Sequence, residues 1–204
     1  MSASSFPPSK SQEVPALHEH AIENIRYIRD TMERASAFTA VPGWGGVAMG
    51  LTAVVAANLA SRQASLAGWL KIWMIEAGIA AIIGVYSVIQ KTKRSQVSLF
   101  AGPGRHFAFG FLPPLLVAAL FTLVFYQAGL AQPIPALWLL LYGIGLLAAG
   151  SFSVRIVPLM GLLFLLIGII ALFSSPAQAN TCLAVGFGGL HISFGLLIAR
   201  RYGG

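Results

Sequence analysis

Residues 184–201 read AVGFGGLHISFGLLIARR. The run carries no formal charge until it stops at Arg200 and Arg201, and one ionisable side chain, His191, stands about halfway along it. An uncharged stretch of this length with basic residues at its exit has the form of a membrane-spanning helix, not of a helix half-facing water. Comparable apolar runs recur through the rest of the chain, so this segment sets the reading of the whole.

Composition agrees. Hydrophobic residues make up 57% of the 204 and charged ones only 9%, against roughly a quarter charged in an ordinary soluble domain. So few charges cannot cover a water-soluble globule of this size. The expected fold class is all-α: a polytopic transmembrane helix bundle. The formal net charge of +7 is spread in short clusters between apolar runs, which argues for membrane orientation and against a nucleic-acid surface. A single cysteine, Cys182, excludes an intramolecular disulfide and any paired-cysteine metal or redox motif.

The N-terminal region is different in kind. Residues 1–16 are rich in Ser and Pro and predict a flexible tail, with no hydrophobic core of a cleavable signal peptide. Residues 17–37 predict an amphipathic cytoplasmic helix. Leu17, Ala21, Ile25, Ile28, Met32 and Ala35 form one helical stripe, and Arg26–Asp30, Arg29–Glu33 and Asp30–Arg34 supply i,i+4 pairs on the polar side. Such a helix rests on the membrane surface or the bundle, or docks a protein partner.

The remainder, 38–204, is expected to form a six-helix transmembrane domain with spans near 41–60, 67–90, 108–130, 134–153, 156–174 and 180–199. On one side of that scheme lie Lys10, Arg26, Arg29, Arg34, Lys91, Lys93, Arg94, Arg105, Arg155, Arg200 and Arg201; the other side holds only Arg62 and Lys71. The asymmetry places both termini in the cytoplasm.

Pro42, Pro113–Pro114 and Pro158 stand near the starts of alternate spans, and basic residues follow the others. The expected arrangement is therefore three hairpins, with a repeat competing against the shared chemistry of helix starts. Small residues mark packing faces: Gly46, Gly50, Ala53 and Ala57 in the first span, and Ala184, Gly188, Gly195 and Ala199 in the last. Internal packing is favoured over a homo-oligomer interface for both.

Two ionisable residues lie at membrane depth. His191 shares the small-residue face of the last span. Glu76 lies within WLKIWMIEAGIAAIIG and is the only acidic residue after Glu33. A central membrane charge costs about 2.5–3.5 kcal/mol to insert, so both are read as neutral. The readings, in order, are a hydrogen-bonded Glu76–His191 pair joining two helices, a proton or cation relay, and two separately satisfied groups. Haem ligation by His106 and His191 fails because the two lie at different depths. His18, His20, Glu19 and Glu23 suggest a metal site only weakly, since i and i+2 point to opposite sides of a helix. The Gly-Pro turn at 101–106 lacks the strand-to-helix setting of a phosphate loop. No catalytic residue, cofactor or metal ligand is assigned, and no enzyme activity is expected.

The segments ENIRYIRDTMERASAFTAVPGWGG, GPGRHFAFGFLPPLL, FSVRIVPLMG and GFGGLHISFGLLIARR together resemble an uncharacterised family of six-span membrane proteins of about this length, common in acidobacteria. The resemblance implies a bacterial inner-membrane address and no chemistry. The leading functional expectation is a non-catalytic membrane subunit or sensor in contact with lipid and acting through a protein partner at residues 17–37. The alternative is a small ion- or proton-coupled transporter using Glu76 and His191.

Overall fold

The computed structural model describes residues 20, 22–28, 32, 38–95 and 102–202. The chain divides into two compact units, Met1–Ala37 and Phe38–Gly204. In the first unit, residues 20, 22–28 and 32 are helical, with Ile22, Ile25, Tyr27, Ile28 and Met32 all exposed. His20 and Glu23 approach to 3.7 Å on its surface. The three i,i+4 pairs expected there and the tail at 1–16 fall outside the described residues.

The second unit is all-α. Its helices are α1 (Trp44–Ala60), α2 (Leu66–Ser95), α3 (Pro103–Gln127), α4 (Pro133–Gly150), α5 (Ile156–Leu172), α6 (Pro176–Leu183) and α7 (His191–Tyr202). A π-helical segment, Ala184–Leu190, joins α6 to α7, so Pro176–Tyr202 runs as one element.

The six-span expectation is overturned. Among the described residues, four elements are long and apolar enough to cross a membrane: Leu66–Lys93, Pro103–Gln127, Pro133–Gly150 and Pro176–Tyr202. α1 and α5 are apolar but only 17 residues each. At 1.5 Å per residue they measure about 25 Å, short of a hydrocarbon core of about 30 Å. Non-helical residues consume the difference: the chain bends at Gly43 before α1, and α5 is over by Phe173.

The three-hairpin arrangement fails too. The most extensive packing joins α4 to α5, helices that the repeat would assign to different hairpins. Glycines explain the choice. A Cβ at Gly143 would lie 2.9 Å from the Gly161 carbonyl oxygen, and one at Gly161 equally close to the Gly143 carbonyl. Gly150 meets Pro158, and Gly168 meets Leu140, in the same way. In lipid, where hydrophobic burial gives no preference among apolar faces, this close backbone approach decides which helices associate.

Gly46, Gly50, Gly188 and Gly195 bring α1 against the π segment and α7. A Cβ at Gly50 would sit 2.7 Å from the Gly188 carbonyl oxygen, and one at Gly195 2.7 Å from the Val47 nitrogen. A Cβ at Gly46 would lie 3.3 Å from the Gly195 Cα.

α3 starts ten residues before its proline pair. Gly102 at φ 53° turns the chain and Pro103 occupies the first turn, where a missing N–H costs nothing. Pro113 and Pro114 therefore lie inside the helix. Its outer face carries Phe109, Leu112, Leu116, Leu120 and Leu123, all exposed, a surface suited to lipid and not to water.

Contacts gather the basic termini of these helices at one end of the unit. Lys91 Nζ donates to the Val41 carbonyl, Gly43 abuts Ala199, Phe38 N donates to Phe152 O at 2.7 Å, and His106 stacks on Phe152 at 4.9 Å. At the other end, Asn180 ties α6 to α2 and α1. Its Oδ1 accepts from Trp69 and Trp73 Nε1 at 2.9 and 3.0 Å, and its Nδ2 donates to the Ala57 carbonyl at 3.2 Å.

Candidate functional site

α2 packs along α1 and has no comparable packing with α3 or α4 among the described residues. Gly45 against Ser87 and Gly84 against Met49 hold α2 to α1. Between α2 and the α3–α4 pair lies a cleft of about 850 Å³, within the 300–1,000 Å³ typical of small-molecule sites. Trp69, Trp73, Glu76, Ala80 and Gly84 line it from α2 at spacings of three and four, one face of a helix. Phe107, Phe111, Tyr142 and His191 line it from the other elements.

Glu76 is buried, with 6% of its surface exposed. Its Oε1 lies 2.8 Å from the Thr52 hydroxyl of α1, which is also 2.9 Å from the Met49 carbonyl. A hydroxyl has one proton and cannot donate to both. With Glu76 ionised, Thr52 donates to the carboxylate; with Glu76 protonated, the acid can donate to Thr52 while Thr52 turns its proton to Met49. Both protonation states of Glu76 thus find a partner without any backbone movement. No Lys, Arg or His lies within ion-pairing distance of Glu76 among the described residues, and its second oxygen has no hydrogen bond there.

His191 is also 6% exposed. It does not bond to Glu76. Its Nε2 instead shares a 2.7 Å hydrogen bond with the Tyr142 hydroxyl of α4, and its ring packs edge-on against Phe164 and parallel to Phe187. Nδ1 is buried facing the backbone of Gly186 and Phe187, without a well-formed hydrogen bond to either.

The π segment immediately precedes His191. Its glycines permit the approach on both sides: a Cβ at Gly186 would strike Leu139 Cδ2 at 2.5 Å, and one at Gly188 would strike Val54 Cγ2 at 2.7 Å. π-helical turns are rare and recur at functional sites.

Glu76 and His191 thus line one cleft through separate partners, Thr52 and Tyr142. Sequence reading missed both partners and the π segment. Tyr142, isolated in the apolar run LLLYGIG, and the glycine cluster before His191 were the available signals. His106 lies at the basic end against Phe152, away from the partners of His191. His20 meets Glu23 only at the exposed helix surface, while His18 and Glu19 are outside the described residues. No group of three or more His, Cys, Asp or Glu forms among the described residues.

No protein-family model matches the chain, and neither a curated protein nor a solved structure does. With four candidate spans among the described residues and no match in any comparison, the resemblance to a six-span acidobacterial family is overturned.

Proposed function

We propose that this membrane protein is a small ion- or proton-coupled carrier whose solute site is the cleft beside α2. The observation that carries the reading is the state of Glu76: buried, lining the cleft and, among the described residues, held by Thr52 alone and without a basic partner. A carboxyl in such a place must hold a proton or face a cation, and Thr52 accommodates both states. Alternation between the two is the elementary step of coupled transport. His191 contributes a second titratable group on the opposite wall, oriented by Tyr142. The step moves a proton on and off Glu76 and leaves the solute chemically unchanged, so the proposal is a carrier.

The basic end of the unit supports an inner-membrane orientation with that end in the cytoplasm. The exposed Ile22, Ile25, Ile28 and Met32 support a second reading, in which the N-terminal helix meets a lipid surface or a protein partner. That role is compatible with a carrier.

The test is proton movement in proteoliposomes loaded with a pH-sensitive dye. Gradients of cationic, anionic and zwitterionic solutes are imposed in turn. The reading expects at least one class to drive protons across the membrane in the wild type and not in Glu76→Gln. Equal proton movement in both, or none for any class, overturns it.

A further inference from the structure

We infer that the cleft takes lipophilic monovalent cations, molecules with delocalised or quaternary positive charge inside an apolar body, and that they enter sideways from the bilayer. The inference rests on the carrier reading and names its substrate class. Three observations carry it. The lining is apolar and aromatic, so a hydrated inorganic ion finds too few oxygen ligands there to replace its water. Glu76 supplies the one negative charge on the lining, and Arg105, the exposed cation at its basic end, makes no ion pair with it among the described residues; a guest seated against Glu76 therefore carries one positive charge. The indoles of Trp73 and Trp69 lie about one and two turns from Glu76 on the same face of α2, and their N–H groups are both committed to Asn180. What the cleft receives from them is ring surface, the preferred partner of a desolvated organic cation.

The route follows from the packing. α2 is held along α1, by Asn180 at one end and by Lys91 on Val41 at the other. Its opposite side has no comparable packing against α3. A guest already dissolved in the bilayer can reach Glu76 between α2 and α3 without crossing water. On arrival the Glu76 O–H gives up its proton to solvent, the carboxylate pairs with the cation, and Thr52 turns from Met49 to donate to the carboxylate. One proton leaves for each charge that enters.

The experiment uses the full chain in lipid nanodiscs, with tetraphenylphosphonium as probe and triphenylphosphine oxide as its neutral counterpart. Tryptophan quenching reports binding, and a pH electrode in weak buffer reports proton release. The wild type should bind the cation with release of about one proton, and Glu76→Gln should bind it about tenfold more weakly or worse with no release. Glu76→Asp, which keeps the charge, should retain both. In the unmodified chain, affinity should fall with acidification over the range where the Glu76 carboxyl titrates. The other titratable groups on the lining are Arg105, Tyr142 and His191, so the slope must vanish in Glu76→Gln to be assigned. Equal binding of the neutral compound, or cation binding indifferent to both Glu76→Gln and pH, overturns the inference and leaves the cleft an acyl-chain seat. Proton movement driven in proteoliposomes only by anions or zwitterions overturns the substrate class and spares the carrier. Cation binding with proton release but no transport sustains the site and overturns the carrier.

Discussion

The Thr52 hydroxyl of α1 and the Glu76 carboxylate of α2 meet at 2.8 Å across the interface of the two helices. This contact is the only hydrogen bond from the Glu76 side chain among the described residues. Thr52→Val keeps the shape and removes the bond. It should lower stability by about 0.6–1.7 kcal/mol, the range of hydrogen bonds inside membranes, and Thr52→Ser should restore it. Thermal unfolding in detergent measures both. A Thr52→Val protein as stable as wild type would mean that Glu76 has another partner.

The α1–α7 seam makes a sharper steric prediction. Gly195→Ala places a methyl 2.7 Å from the Val47 nitrogen and 2.8 Å from the Gly43 carbonyl oxygen. Backbone cannot yield as a side chain tip can, so the change should destabilise by about 1–3 kcal/mol. Gly78→Ala meets nothing within 4 Å and should be harmless. Equal stability of the two variants would contradict the seam.

Asn180→Ala removes the shared acceptor of two indoles and the donor to Ala57. The expected outcome is a lower unfolding temperature together with a shift in tryptophan emission, because Trp69 and Trp73 lose their N–H partners. Unchanged emission would place those rings elsewhere.

His191 and Tyr142 form one bond and should behave as one unit. His191→Gln keeps hydrogen-bonding capacity toward Tyr142, so folding should survive while a titratable group is lost. His191→Leu and Tyr142→Phe should each destabilise, and the double variant should cost less than their sum. Strict additivity in a double-mutant cycle would remove the bond from the account.

How much of this was legible in the sequence follows from what each signal measures. Apolar runs ended by arginine report helices in lipid, and every apolar run did become a helix. They do not report helix length to a turn. Residues 41–43 read as the start of the first span, but they are non-helical and the chain bends at Gly43, so α1 is left with 17 residues. The glycine stripes at 46, 50, 188 and 195 announced close packing but not which face meets which. That choice is set by complementarity between distant helices. Glu76 and His191 stood out because charge is scarce at membrane depth. Thr52 and Tyr142 did not, because a lone hydroxyl in an apolar helix satisfies itself on its own backbone as often as it reaches across. The mutual separation of Glu76 and His191 depends on α2 lying along α1 alone, which no local pattern encodes.

The most direct measurement of the central claim is the protonation of Glu76 itself. Glu76 is the only Asp or Glu after residue 33, so a protonated carboxyl signal from the membrane unit has one side-chain source. Infrared difference spectra should show the carbonyl stretch of a protonated carboxyl disappear when tetraphenylphosphonium binds, and Glu76→Gln should show no such band. A wild-type spectrum with no loss of that band, or the same loss in Glu76→Gln, would contradict the exchange of proton for solute at Glu76.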